Sequence, residues 1–171
     1  MKSIESVDPG KLKWKQTRFA VHEFKLRSGE DLVGEMYWTE WLSDRAVAEC
    51  ADGCWHMDRP DFFRHRVVVR EQGTGKDIAI FEKNWFGEGR LIFADGHSYE
   101  WFRTKAFWNH WALATAEDEV VFEIRDATRW FKHQADVVLH SAAEVEKELP
   151  LLILIGWYLV VMAIQDSAAV V

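Results

Sequence analysis

Between Leu151 and Ile164 the chain reads Leu-Leu-Ile-Leu-Ile-Gly-Trp-Tyr-Leu-Val-Val-Met-Ala-Ile, with no charged residue. A helix that is apolar all round must be covered all round, by protein or by lipid. Spanning a bilayer takes about 20 apolar residues, whereas runs of about 10–14 more often form buried core helices. Gln165, Asp166 and Ser167 interrupt the run before Ala168 to Val171 resume it, and a carboxylate is costly in hydrocarbon. The run therefore reads as a core helix, with Leu152, Ile155, Leu159 and Met162 buried together with the residues on its opposite face. Gly156 lowers helix propensity by about 1 kcal/mol against Ala, so it marks a place where a neighbouring strand approaches closely.

Upstream of this run the pattern is one of short strands. Trp, Phe and Tyr make up 14% of the chain, a composition that suits half-buried pleated surfaces. Strands are expected at 18–26, 32–38, 45–50, 54–59, 63–70, 77–83, 90–93, 98–103, 110–115, 120–125 and 135–140. Turn signals separate them about every eight to twelve residues, the signature of an all-β sandwich or barrel. Two-residue loops centred on Asp52-Gly53 and Asp95-Gly96 would set Cys50 opposite Trp55 and Ile92 opposite Tyr99. Alternation then sends the thiols of Cys50 and Cys54 to opposite faces, which excludes a disulfide between them. Residues 1–14 lack periodicity and read as an N-terminal arm, leaving 15–171 as a single domain large enough to bury a core. Ser141-Ala142-Ala143-Glu144 has capping-box spacing, and Pro150 is tolerated in a first helical turn. One helix from Ala142, or two pieces meeting at Pro150, both satisfy these signals.

The formal net charge of −7 opposes nucleic acid as a partner, and an anionic surface could be held only through a local basic patch. Arg64, Arg66 and Arg70 share one face of a strand and could grip phosphates; the plainer reading is a solvated outer wall with Arg70 opposite Asp77. The first residues lack the apolar core of a signal peptide, so cytoplasmic residence is expected, with a peripheral position at a membrane as one form of it. Gly73-Thr74-Gly75-Lys76 fails as a phosphate loop because Arg70 replaces its first Gly and Asp77 its Ser or Thr. Gly87-Glu88-Gly89 lacks the third Gly of a dinucleotide turn, having Ile92 there. Cys54, His56 and Asp58 alternate onto one face without the spacing of a zinc site. No metal, cofactor or catalytic constellation is indicated, and no Ser lies in a nucleophile elbow. The chain reads as a protein that is not an enzyme. Trp38 to Trp41 and Trp108 to Trp111 put aromatics at strand ends, where they either dip into a membrane interface or pack in the core and rim.

Roughly a dozen strands followed by one wholly apolar helix is an uncommon order, since most all-β chains fill their interior with strand side chains. In that order, and in Asp52-Gly53-Cys54-Trp55, the strand pair 63–70 and 77–83, Asp95-Gly96 and the run from Leu151 to Leu159, the chain resembles the tubby-like barrel superfamily. That superfamily includes tubby C-terminal domains, phospholipid scramblases and the plant LURP-one-related proteins; the likeness is nearest to the LURP-one and scramblase branch. It implies a closed antiparallel barrel of about twelve strands enclosing the C-terminal hydrophobic helix. It also implies action by surface contact with a phospholipid or phosphoinositide headgroup, or with a protein partner. Two departures narrow this. The Pro-rich segment and acidic calcium-loop-like run of the scramblases are absent, so calcium-driven lipid transport is not implied. The basic headgroup site of the tubby branch finds no residue-by-residue match. A lumen filled by the helix would leave no interior cavity; the competing readings are a barrel with an internal pocket for a small apolar ligand and a membrane-inserted scramblase-like protein.

Overall fold

The computed structural model describes residues 1–18, 22–40, 43–60, 65–104, 109–126 and 132–169. Twelve strands follow one another: β1 (Leu12–Gln16), β2 (Glu23–Ser28), β3 (Asp31–Trp38), β4 (Ala46–Cys50), β5 (Gly53–Asp58), β6 (Arg66–Glu71), β7 (Asp77–Lys83), β8 (Gly89–Phe93), β9 (Ser98–Arg103), β10 (His110–Thr115), β11 (Val120–Asp126) and β12 (Gln134–Leu139). Each pairs antiparallel with the next, and β1 pairs with β12 to close a barrel. Among the described residues one α-helix, α1 (Leu149–Ala169), follows the strands. The fold class is the expected one: a closed antiparallel barrel of twelve strands with one hydrophobic C-terminal helix.

The helix is inside because a twelve-stranded wall is too wide for its own side chains to fill. Every residue from Leu151 to Met162 is buried, with Leu152, Ile155, Leu159 and Met162 among them. Strand residues that alternate inward complete the core: Trp14 stacks on Trp157 at 5.4 Å and 8°, Phe24 meets the same indole edge-on at 5.3 Å, and Trp38 stacks on Tyr158 at 5.8 Å. Such ring pairs add about 0.5–1.5 kcal/mol each beyond the area they bury. Gly156 faces β11. A Cβ there would lie 3.1 Å from Ile124 Cδ1 and 3.1 Å from Phe122 Cε2, so the close approach read from the sequence is present. Helix length and mean hydropathy also meet the requirement for crossing a membrane; within this fold the barrel wall takes the place of lipid.

Several local expectations need correction. The arm boundary at residue 14 falls inside β1, whose Leu12 and Trp14 point inward between exposed Lys13 and Lys15. Five residues of alternation were too few to stand out as a strand. The helix runs past Ile164 to Ala169, because Asp166 is paired rather than left bare. Ser141 makes no capping hydrogen bond: residues Ser141–Val145 form a 3-10 helix, and α1 starts separately at Leu149 with Pro150 in its first turn. The chain thus takes the two-piece alternative.

Two hairpin registers also shift, the first by two residues in its pairing and the second by one. The first loop is Ala51-Asp52, so Cys50 pairs with Gly53 and Ala48 with Trp55. Gly53 has no positive φ; a Cβ on it would lie 2.9 Å from the Trp55 ring, so glycine is there for packing and not for the turn. Cys50 still faces the core while Cys54 faces away, and both are free thiols. In the second hairpin Leu91, not Ile92, is opposite Tyr99. Gly96 takes φ +95 while Asp95 does not turn positive, and a two-residue type I′ loop needs both positive. A longer loop with one left-handed residue results.

Candidate functional site

In an antiparallel meander, successive connections alternate between the two ends of the barrel. Here the connections differ sharply. At one end the turns are tight: residues 29–30, 51–52, 72–76, 94–97 and 116–119. They carry Glu30, Asp52, Asp95, Glu117, Asp118 and Glu119, with Lys76 their only lysine or arginine, and none contains Trp or Phe. The other end, which we call the long-connection end, is built from connections of five to seven residues, 17–22, 39–45, 59–65, 84–88, 104–109 and 127–133. In sequence each of these contains at least one Trp or Phe, and lysine and arginine outnumber aspartate and glutamate among them. The negative net charge is therefore concentrated away from the long-connection end.

Within the described residues the 84–88 connection presents its own two aromatics to solvent. Asn84 Oδ1 accepts from the backbone N–H of Phe86 at 2.9 Å and of Glu88 at 3.2 Å, and Gly87 takes φ +81. This side-chain-stabilised turn leaves Trp85 89% and Phe86 76% exposed, the two most exposed aromatic residues described. His65 meets the Trp85 ring edge-on at 5.1 Å.

Near this turn a partly buried ion cluster centred on Arg59 ties the helix to the wall. Arg59, just beyond β5, has a side chain only 1% exposed. Its Nη1 donates to both oxygens of Asp166 on α1 at 2.9 Å, and its Nη2 donates to Asp44 Oδ1 at 2.9 Å. Lys83 Nζ reaches Asp166 Oδ2 at 2.7 Å. The Tyr158 hydroxyl donates to the backbone oxygen of Asp44 at 2.6 Å. Burial alone would raise the Asp166 pKa, but hydrogen bonds and charge from Lys83 and Arg59 outweigh it and hold the carboxyl below its ordinary value. Burial likewise opposes the charge of Arg59, and its two carboxylate partners overcome that penalty.

Between the end of α1 and the walls of β6, β7 and β9, a cleft of about 590 Å³ opens at this end. Val67, Phe81, Leu159 and Met162 form its apolar lining; Arg59, Lys83 and Thr104 bring polar atoms to it, and Trp85 and Phe86 stand at its lip. A second cleft of about 650 Å³ lies at the opposite end, among the N-terminal residues, β12 and the start of α1. The helix fills the middle of the barrel, but the expectation of a lumen without any cavity does not extend to its two mouths.

The arginine row read from the sequence has a different setting. Arg64 lies outside the described residues. Arg66 pairs with Glu82 at 3.5 Å, on a surface where both are more than half exposed. Arg70 Nε donates to Asp77 and Nη1 to Asp58, each at 2.8 Å, which is the cross-hairpin pairing expected for an outer wall. Asp58, one member of the Cys54, His56, Asp58 face, is thereby engaged with a cation. Among the described residues no group of three His, Cys, Asp or Glu is placed to hold a metal ion. Trp38 and Trp111 are core residues; Trp41 and Trp108 lie outside the described residues.

The Arg59, Lys83 and Asp166 cluster was not read from the sequence, since Arg59 and Asp166 are 107 residues apart. Trp85-Phe86 did leave a signal, two large aromatics in a break between strands flanked by Asn84 and Gly87. Comparisons of the chain with known protein families, with curated proteins and with solved structures find no match.

Proposed function

We propose that this protein is a non-enzymatic barrel module that docks on a phospholipid surface through its long-connection end, as its resemblance to tubby-like barrels implies. One observation carries the reading. Every connection at that end contains Trp or Phe and none at the other end does, while the surplus of carboxylates is at the other end. Aromatic residues together with lysine and arginine are the composition of a membrane-interface contact, and among the described residues Trp85 and Phe86 are exposed. Lysine and arginine near an anionic leaflet each add about 1 kcal/mol of attraction. The acidic turns, facing away, spare the docked protein most of the repulsion that a net charge of −7 would otherwise bring. The surface contact is peripheral, with α1 staying inside the barrel, and the membrane face it meets is the cytoplasmic one.

The wall arginines are not the grip in this reading, because Arg66 and Arg70 already face carboxylates. Liposome flotation tests it, with and without phosphoinositides, at low and physiological salt. The parent is expected to float with vesicles containing anionic lipid. The Trp85→Ser, Phe86→Ser double variant is expected to lose at least about tenfold in partitioning, since each large apolar side chain withdrawn from water is worth about 1.5–3 kcal/mol. Arg66→Ala with Arg70→Ala is expected to float like the parent. Absence of flotation by the parent in every condition would remove the reading and leave a protein partner as the occupant of this end.

A further inference from the structure

We infer that residues 141–148, the segment joining β12 to α1, form a strap at the tight-turn end of the barrel that is fastened when His97 carries a proton and loosened when it does not. The inference is independent of membrane docking, which concerns the opposite end.

The strap's backbone hydrogen bonds close locally: Ala143 donates to His140, Glu146 to Ala143 and Leu149 to Glu146. Among the described residues only two hydrogen bonds, both through side chains, join 141–148 to the wall. The Tyr99 hydroxyl on β9 donates to Glu146 Oε2 at 2.5 Å, and His97 Nε2 lies 2.9 Å from Glu148 Oε2. Apolar anchoring is slight, since Ala143 is buried but Val145 is 79% exposed. Loss of one of the two bonds therefore removes a large part of what holds the strap.

The geometry at His97 makes one of them depend on a proton. Its other ring nitrogen, Nδ1, meets Asp95 Oδ1, which also accepts from the His97 backbone N–H at 3.1 Å. Both ring nitrogens thus face carboxylate oxygens. A carboxylate can only accept, and only the imidazolium has two donors to offer. No lysine or arginine pairs with Asp95 or Glu148 among the described residues, so His97 is the cation they share. The neutral ring keeps a single N–H. Asp95 is two residues away on the same turn and retains it, which leaves the Nε2 lone pair turned toward the Glu148 carboxylate. Phe93, stacked at 4.4 Å and 11°, and Tyr99, edge-on at 5.7 Å, hold the ring in this plane. The bond that fails is therefore the one to the strap.

Burial disfavours the charged ring, but Glu148 and Asp95 outweigh it and raise the His97 pKa above 6.5. The fastening is complete below that value and fades as pH rises through the folded pKa. Burial, and then Glu146, push the Tyr99 phenol upward, so it keeps its proton and its bond to Glu146 throughout the neutral range. A second histidine, His140, stands at the strap's other end, 3.8 Å from Glu123 on β11. Glu144, Glu146 and Lys147 of the strap line the cleft of about 650 Å³ at this end together with Ile4 and Val7. Loosening the strap shifts that part of the cleft lining as pH rises.

Amide hydrogen exchange, read by mass spectrometry on peptides covering 141–149 and corrected for the unstructured-chain rate at each pH, tests the inference. Between about pH 5.5 and about pH 8.5 the parent's protection over 141–149 is expected to fall at least about fivefold, while peptides from β6 and β7 keep theirs. The ring titration of His97, followed by NMR, is expected to share the midpoint of that fall. His97→Gln and Glu148→Gln each supply an amide that bonds its partner at any pH, so each variant is expected to change by less than about twofold. Parent-like protection of β6 and β7 shows that a variant has folded. Unchanged protection in the parent, a fall whose midpoint departs from that of His97, or a fall of parent size in either folded variant, as titration of His140 would give, would each overturn the proposal. Should both variants misfold, agreement or disagreement of the two midpoints in the parent decides.

Discussion

Replacing Arg59 with Met should cost about 3 kcal/mol of folding stability. The guanidinium is almost fully buried and makes three charge-assisted hydrogen bonds, two to Asp166 and one to Asp44. Removing one partner of a buried ion pair typically costs ~3–5 kcal/mol, because the charge left behind is uncompensated. The lower end applies here: the Asp44 and Asp166 side chains are 19% and 32% exposed and can recover some water, and Asp166 keeps Lys83. Urea unfolding measures the loss. With a denaturant slope of about 2 kcal/mol/M, the midpoint should fall by about 1.5 M. Arg59→Lys keeps the charge but cannot fork between two carboxylates, so its midpoint should fall between those of Met and the parent. Asp166→Asn combined with Arg59→Met closes a double-mutant cycle, and a coupling of at least about 1 kcal/mol is expected for residues in direct contact. A midpoint for Arg59→Met within about 0.2 M of the parent's would show that the cluster does not hold the helix end to the wall.

Gly156→Leu should destabilise the barrel, because its first side-chain carbon already sits 3.1 Å from Ile124 and Phe122; overpacking of this kind costs ~1–3 kcal/mol, and a lowered midpoint of thermal unfolding reads it. Leu159→Asp should abolish soluble expression, since an unpaired charge would be buried at a residue 6% exposed. For Asp166 the folded pKa is below its ordinary value of 3.8, so its stabilisation is full above that value and lost as pH falls through the lower folded one; Asp166→Asn should flatten the acid limb of midpoint against pH. His97 behaves oppositely. Burial pushes its pKa down, but Glu148 and Asp95 on either side raise it above 6.5, so its contribution is present below that value and fades as pH rises through the folded pKa; His97→Gln should flatten that decline.

The helix and the barrel were legible because their signals are local. An uncharged apolar run needs no partner to be recognised, and turn residues at regular intervals mark strand ends wherever the strands pair. Registers were less legible because glycine answers to two physical demands. Gly96 serves backbone conformation, whereas Gly53 yields space to Trp55, and a one-residue difference in loop position follows from confusing them. The candidate site was the least legible part. Arg59, Lys83 and Asp166 meet only after the wall has closed around the helix, and nothing in their sequence neighbourhoods marks them as partners. Arg64, Arg66 and Arg70 show the converse: a row of like residues is conspicuous in sequence, yet the cations of Arg66 and Arg70 are neutralised by carboxylates from neighbouring strands. The asymmetry of the two barrel ends was present in the sequence, but the connections could be sorted by end only once the strand order was known.

Depth measurement on vesicles bears most directly on membrane docking by the long-connection end. In a Cys50→Ala, Cys54→Ser background, a nitroxide is attached at residue 86 or at residue 95, and its accessibility to oxygen and to a water-soluble nickel complex is compared with and without anionic vesicles. The expected result is a label at residue 86 that gains oxygen and loses nickel accessibility on binding, while the label at residue 95, on an acidic turn at the other end, stays in water. Vesicle-bound protein with the residue 86 label still in water, or with the residue 95 label buried in lipid, would contradict docking through the long-connection end.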